Sequence, residues 1–326
     1  MARPKVFVAE AIPEAGIKLL KKKCDVTVSK KNRVLTKKEL ISAIKGKDAL
    51  LSMLTDKIDD SVLKAGKKLK VIANYAVGFD NIDLKAATKR GIPVTNTPGV
   101  LTDAVADHAC TLLLGISRRV VEADRYIRSG KYTHWGPMLL LGGDFRGKTL
   151  GILGLGRIGS AVAERMSKGF GMKIIYYDIK RVPAFEKQLG AKYATVAQLL
   201  KNSDYVSVHV PLLPSTRHLI GARELRTMKK TAYIINTSRG PVIDEKALVS
   251  ALRKKQIAGA ALDVFEFEPK LAPGLGKLDN VILTPHTASA TITARNAMSE
   301  IAAKNILDVI AGKKPRNLVN QDVYRK

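Results

Sequence analysis

The string Gly154-Leu155-Gly156-Arg157-Ile158-Gly159 constrains this chain more than any other segment. Glycines so spaced are common in loops, so the weight lies in the setting. The apolar run Leu150-Gly151-Ile152-Leu153 precedes the string, and a charged helical pattern follows it. A second apolar run, Lys173-Ile174-Ile175-Tyr176-Tyr177, ends in Asp178, 19 residues beyond Gly159. Strand, glycine turn, helix, strand and acid in this order make a dinucleotide-binding βαβ unit. Gly154 allows the tight turn, Gly156 lets backbone approach a pyrophosphate, and Gly159 lets the helix pack on the strand. The helix N-terminus then offers N–H groups to the phosphates.

At 326 residues the chain has room for two domains of ordinary size. It is 46% hydrophobic and 26% charged, which suits a globular protein with real cores. No run of about 18 apolar residues occurs, so no transmembrane helix and no membrane partner are expected. The start, Met1-Ala2-Arg3-Pro4-Lys5, leads straight into Val6-Phe7-Val8 without the apolar core of a signal peptide. The only cysteines, Cys24 and Cys110, exclude a disulfide framework and a metal quartet, and the expected compartment is the cytoplasm. A net charge of +27 raises nucleic-acid binding as a function. The lysines are dispersed, however, as in Lys21-Lys22-Lys23, Lys67-Lys68 and Lys254-Lys255, and aromatics make up only 5%. A solvated lysine-rich surface that attracts anionic substrates and cofactors is the better account, with no specific nucleic-acid partner.

Apolar runs alternate with amphipathic patterns along both halves. Val6–Ala9, Val26–Val28, Ala49–Met53, Val71–Ala73 and Ile92–Thr95 read as strands. Between them Pro13–Lys22, Thr36–Ile44 and Asp59–Ala65 read as helices, Thr36 and Glu39 forming a capping box. Thr102–Ser129 reads as one long helix stopped by Gly130. Later strands are expected at Tyr205–Val210, Tyr233–Asn236, Gly259–Val264 and Val281–Thr284, and a last helix from about Thr291 to Ile310. This alternation implies an α/β protein with two doubly wound parallel sheets, the second a Rossmann cofactor domain. Because the dinucleotide unit sits mid-chain, the first domain is discontinuous, at 1–98 and 287–326, around a cofactor domain at 99–286. The active-site cleft is expected between them, outside the C-terminal strand ends.

Three polar residues fall just past expected strand ends: Arg239, Glu268 and His286. A guanidinium grips a carboxylate through two parallel hydrogen bonds, which suits Arg239 to a 2-keto acid. Hydride addition to a ketone leaves charge on oxygen. A histidine can supply the proton near neutral pH, which suits His286. Glu268 would orient the imidazole and favour its charged form. His108, His134 and His218 lack spaced partners and read as structural or exposed, and no metal site is expected.

The motifs Gly154-x-Gly156-x-x-Gly159, Asn236-Thr237-Ser238-Arg239-Gly240, Leu262-Asp263-Val264-Phe265-Glu266-Phe267-Glu268-Pro269 and Pro285-His286 occur in this order. Together they resemble the D-isomer specific 2-hydroxyacid dehydrogenase family. Upstream, Asn74–Asp83 and Thr95–Thr102 resemble its glyoxylate/hydroxypyruvate reductase branch. The resemblance implies Arg239, Glu268 and His286 as the catalytic set. It implies substrate contacts from Val77 and Gly78, a pocket bounded by Leu54, and Trp135 either reaching a neighbouring subunit's site or serving as a plain interface or core residue. It implies cofactor contacts from Thr102, Arg157, Ile158, Asp178, Ile179, Lys180, His209, Val210, Pro211, Thr216, Thr237, Ser238, Asp263 and Ala288. A homodimer is implied as well, and so is a flavodoxin-like substrate domain beside the Rossmann cofactor domain.

Two departures stand out. Thr287-Ala288-Ser289-Ala290 replaces the family's usual Ile-Gly-Ser-Ala, adding a methyl at Ala288. Asp178 favours NAD(H) because a carboxylate repels a 2′-phosphate, while Lys180 and Arg181 nearby leave NADP(H) possible. The expectation is NADH-dependent reduction of glyoxylate or hydroxypyruvate. The same family's D-lactate, 3-phosphoglycerate and phosphite dehydrogenases, and a non-catalytic NAD-sensing protein, are the alternatives.

Overall fold

The computed structural model describes residues 2–325. Contacts divide the chain into two compact units. One comprises the chain up to Leu101 together with everything from Ala290, and the other is Thr102–Ser289. The corresponding crossings were placed by sequence near Pro98-Gly99 and Pro285-His286.

The first unit is built from β1 (Lys5–Val8), α1 (Glu14–Lys21), β2 (Asp25–Val28), α2 (Lys37–Ile44), β3 (Ala49–Ser52), α3 (Asp60–Ala65), β4 (Val71–Asn74), α4 (Leu84–Lys89) and β5 (Val94–Thr95). All five strands are parallel, in the order β2-β1-β3-β4-β5. This is the flavodoxin-like order. Helix starts follow their caps: Thr36 and Glu39 form the capping box of α2, and Asp59 and Asp83 accept backbone N–H groups at the starts of α3 and α4. On one sheet face Phe7, Leu50, Ile72 and Val94 bury against Leu40, Ile44, Val62 and Leu63.

The second unit runs α5 (Thr102–Ser117), α6 (Val120–Arg128), β6 (Thr149–Leu153), α7 (Arg157–Phe170), β7 (Lys173–Tyr177), α8 (Pro183–Leu189), β8 (Lys192–Tyr193), α9 (Val196–Asn202), β9 (Tyr205–Val208), α10 (Ala222–Thr227), β10 (Tyr233–Asn236), α11 (Glu245–Arg253), β11 (Gly259–Leu262) and β12 (Val281–Leu283). The final helix α12 (Ile292–Ile310) belongs to the first unit. The seven parallel strands lie in the order β12-β11-β10-β9-β6-β7-β8. Successive residues enter opposite cores, Ile234 and Ala260 on one face and Ile235 and Ala261 on the other. A parallel sheet covered on both faces requires this. The order reverses between β6 and β9, so the glycine turn lies at the switch point where open α/β sheets bind ligands.

The expected helix over Thr102–Ser129 is two helices. Arg119 adopts φ 54°, in the left-handed region, and the Ser117 carbonyl accepts from Gly143 N–H at 3.1 Å instead of continuing the helical ladder. Arg119 then pairs with Glu122 in α6 through two contacts of 2.8 and 2.6 Å. The break thus rests on a partner from the loop before β6, which no helical periodicity reveals.

In the first unit α1 packs against α12 at Gly16. Its N–H, one of the unpaired donors of a first helical turn, reaches Ser299 Oγ at 3.1 Å. A Cβ there would lie 2.2 Å from the Ser299 carbonyl oxygen. Gly16→Ala should therefore force the helices apart and destabilise the protein by about 1–3 kcal/mol. Urea denaturation checks this: an unchanged midpoint would mean the contact relaxes freely.

Candidate active site

The glycine turn is tight where the fold needs it and open where a ligand would lie. Gly154 has φ 97°, and a Cβ on it would meet Val210 N at 2.8 Å. A Cβ on Gly159 would meet the Gly154 carbonyl oxygen at 2.1 Å. At Gly156, the N-cap of α7, a Cβ would meet nothing within 4 Å. Protein packing therefore does not require glycine at 156, whereas close approach of a phosphate does. Thr237, just past β10, has a buried Oγ1 without a hydrogen-bond partner among the described residues. A buried hydroxyl of this kind awaits a ligand or water. Both features fit a bound dinucleotide.

The sequence-derived cofactor residues take these places. Arg157 and Ile158 open α7, and Asp178, Ile179 and Lys180 follow β7. His209, Val210 and Pro211 follow β9, Thr237 and Ser238 follow β10, Asp263 follows β11, and Ala288 lies in the turn after β12. Thr216 Oγ1 closes a turn onto the Pro211 carbonyl at 2.6 Å, and Thr102 begins α5. Asp178 Oδ2 accepts the Leu155 N–H at 2.7 Å, tying the acid to the glycine turn. His209 donates or accepts with Ser207 Oγ at 2.8 Å, and burial pulls its pKa down to about 4.

Arg239, Glu268 and His286 all lie past the C-terminal ends of adjacent strands β10, β11 and β12. His286 Nδ1 is 3.1 Å from Glu268 Oε2, and Glu268 Oε1 accepts the Phe265 N–H at 2.8 Å. The Arg239 loop is shaped by buried Asn236, whose Oδ1 accepts from Ser238 N–H and whose Nδ2 donates to the Arg239 carbonyl at 2.9 Å. Gly240 lets this loop touch the Glu268 loop: a Cβ there would sit 1.9 Å from the Phe265 carbonyl carbon. Glu245, buried at the start of α11, accepts from Glu266 N–H at 2.6 Å and Ala272 N–H at 2.8 Å, bracketing Glu268 on both sides.

His286 stands at φ 53°, a left-handed conformation that a non-glycine residue holds only when its surroundings enforce it. Asp263 enforces it. The carboxylate has no solvent exposure and accepts from Thr284 Oγ1 at 2.6 Å, Thr287 N–H at 2.7 Å and Ala288 N–H at 2.8 Å. Burial pushes its pKa up, but hydrogen bonds from His108, Thr284, Thr287 and Ala288 outweigh that and hold it below the ordinary value. His108 Nε2, from α5, is 3.1 Å from Thr284 Oγ1 and 3.4 Å from Asp263 Oδ1. Sequence reading left His108 without a partner, since its partners lie more than 150 positions away. His218 bonds Glu266 at 2.7 Å, and His134 is exposed beside Thr133.

In the first unit Leu54 follows β3, and Val77 and Gly78 follow β4. The Val77 carbonyl accepts from Asn96 Nδ2 at 2.8 Å and the Gly78 carbonyl from Asn74 Nδ2 at 2.9 Å. Asn81 Nδ2 reaches the Met53 and Asp56 carbonyls, both at 3.0 Å, so asparagine side chains brace the two loops. Trp135, between α6 and β6, is 74% exposed. Among the described residues no group of three His, Cys, Asp or Glu side chains is placed to hold a metal, and no helix is long and apolar enough to cross a membrane.

Residues 110–288 match the family model for the D-isomer specific 2-hydroxyacid dehydrogenase NAD-binding domain. The chain belongs to the D-isomer specific 2-hydroxyacid dehydrogenase family. It is 53% identical to a Korarchaeum cryptofilum glyoxylate reductase over 98% of this chain and 97% of the relative. It is 52% identical to a Thermococcus litoralis glyoxylate reductase, over 98% of each. A Thermus thermophilus crystal structure superposes with TM-score 0.90 at 44% identity, covering 97% of this chain and 99% of that one. An NADPH-dependent glyoxylate/hydroxypyruvate reductase from Sinorhizobium meliloti, solved with NADP and malonate, superposes with TM-score 0.86 at 33% identity, covering 98% and 97%. The protein is accordingly an oxidoreductase with a nicotinamide-cofactor domain.

Two outcomes follow for the family member. His108→Leu removes a donor from the Asp263–Thr284 pair and should lower turnover about tenfold, while His108→Gln, which keeps an N–H, should restore part of it. Steady-state kinetics on both variants decide, and equal losses would exclude the donor role. His209 is the second case. Its folded pKa of about 4 lies below the unfolded value near 6.5, so its stabilisation is present above pH 6.5 and lost as pH falls toward 4. The loss should approach about 3 kcal/mol by that linkage, and urea titrations of His209→Gln across this range should show a flatter pH dependence.

Proposed function

We propose that this protein reduces glyoxylate or hydroxypyruvate to glycolate or D-glycerate with NADH as the preferred cofactor. When bound, the nicotinamide supplies the hydride that adds to C2 of the keto acid. His286 transfers a proton to the carbonyl oxygen, completing the 2-hydroxy acid. Glu268 holds Nδ1 of that imidazole, which leaves Nε2 to face the reacting oxygen. Arg239 grips the substrate carboxylate bidentately, a role lysine cannot reproduce.

The observation that carries this reading is the 3.1 Å contact between His286 and Glu268. It sits in a frame that also fixes Arg239 through the Gly240–Phe265 approach. The names of the relatives support the keto acid. Asp178 on the glycine turn supports NAD(H). NADP(H) use by the Sinorhizobium meliloti enzyme keeps cofactor choice a property of individual members.

The protein acts as a homodimer in the cytoplasm. Val120, Ile127, Trp135, Met138 and Leu141, each more than half exposed, provide the apolar face for a second copy. The two cysteines are free and buried, which suits a reducing compartment.

The test is loss of NADH absorbance with glyoxylate, hydroxypyruvate and pyruvate, with NADPH run in parallel. Arg239→Ala should cut kcat/KM by about 100-fold or more through lost positioning, with NADH affinity retained. Arg239→Lys should recover little of it. Near-normal turnover in Arg239→Ala would remove the anchor role.

A further inference from the structure

The stretch after β7 carries an acid, Asp178, and two cations, Lys180 and Arg181, which pull cofactor choice in opposite directions. The geometry treats them unequally. Arg181 Nε and Nη2 donate to Glu186 Oε1 and Oε2, both at 2.8 Å. This is the two-pronged arrangement a guanidinium would otherwise make with a phosphate. Glu186, in the first turns of α8, is itself anchored. Its Oε1 also accepts from Tyr176 Oη at 2.7 Å, and that hydroxyl accepts the Val182 N–H at 2.7 Å. The Tyr176 ring is fully buried and packs edge-on against Phe185 and Tyr193. Exposed ion pairs contribute little on their own. Here the carboxylate is only 15% exposed and is fixed from the core side, and its pKa is pulled down to about 2 by Arg181 and Tyr176.

We propose that Glu186 is a specificity-determining residue that latches Arg181, withholding it from the 2′-phosphate of NADP(H) and adding its own repulsion to that of Asp178. An Arg181 recruited by a phosphate would have to abandon Glu186. That would leave an unmatched carboxylate next to the incoming anion, which would repel it. Discrimination against the 2′-phosphate thus depends on two acids, one on the strand end and one on the following helix. Replacing Asp178 alone removes one repulsion and leaves Arg181 latched.

This inference rests on reading the second unit as an NADH-preferring site, and the experiment separates the two. Affinities for ADP and 2′,5′-ADP are measured by calorimetry without substrate, beside the NADPH/NADH ratio of kcat/KM, for wild type, Asp178→Ser, Glu186→Gln and the double variant. The amide of Glu186→Gln keeps an acceptor for Tyr176, so the fold should survive. Wild type should favour ADP. Each single variant should shift the ratio toward 2′,5′-ADP by about 3- to 5-fold, and the double variant by about 50-fold, more than their product, since freed Arg181 adds a bidentate contact. Arg181→Gln should leave Asp178→Ser unchanged and abolish the extra gain of the double variant. If wild type favours ADP but Glu186→Gln has no effect in either background, the cofactor reading stands and the latch falls. A loss from Arg181→Gln in the Asp178→Ser background would also overturn the latch, showing Arg181 already engaged. If wild type favours 2′,5′-ADP, the NADH preference fails and the latch fails with it.

Discussion

A carboxylate with no access to water is tolerated only when donors surround it, and Asp263 is such a group. Its four hydrogen-bond partners come from three elements: α5 through His108, the end of β12 through Thr284, and the turn beyond it through Thr287 and Ala288. Satisfying the charge therefore dictates where the turn after β12 runs. That turn places His286 in a left-handed conformation, with its N–H on the Asp263 carbonyl at 2.9 Å. Without the buried charge nothing would compel a glycine-free turn (Thr284 to Ser289) to take that path. Ala288 in place of the family's usual glycine is compatible with the same device, because its N–H, not its side chain, is what Asp263 uses.

The neighbouring strand ends follow the same logic with different chemistry. After β10, Asn236 supplies both an acceptor and a donor to the loop that presents Arg239. After β11, Glu245 holds the loop on either side of Glu268 through two backbone N–H groups. In each case a buried polar side chain fixes the loop that carries a proposed site residue. Side chains so preorganised lose little on reaching a reactive geometry, which is what positioning contributes to catalysis. The first unit uses neutral amides for a comparable task, Asn74, Asn81 and Asn96 bracing the loops after β3 and β4.

How much of this was legible in the sequence depended on distance along the chain. Both sheets followed from alternating apolar runs except for the two-residue edge strand β8, and the α2 cap followed from Thr36 and Glu39 three residues apart. The motif order identified the family before any contact was known. What escaped were features set by partners far away in sequence. The break after Ser117 needs Gly143, and His108 needs Thr284 and Asp263. Local reading saw a helical pattern in one case and an isolated histidine in the other. Arg181 is intermediate: its charge was visible, but Glu186 is only five residues away and still could not be paired with it by pattern, because Tyr176 supplies the anchor.

The net charge of +27 coexists with acids that have structural duties. Several acids are buried, cap helices or pair with arginines. Asp263, Glu245 and Asp56 are buried, Asp59, Asp83 and Asp244 cap helices, and Glu39 and Glu186 are locked to arginines. No described lysine is buried, and Lys31, Lys37, Lys168, Lys229 and Lys304 pair with carboxylates at the surface. Dispersed cations of this kind attract small anions without reading their shape. Both the dinucleotide and the keto acid are anions, so the field raises their encounter rate. A salt-screened surface that gathers anions and a buried, hydrogen-bonded interior that sorts them are separable in physics.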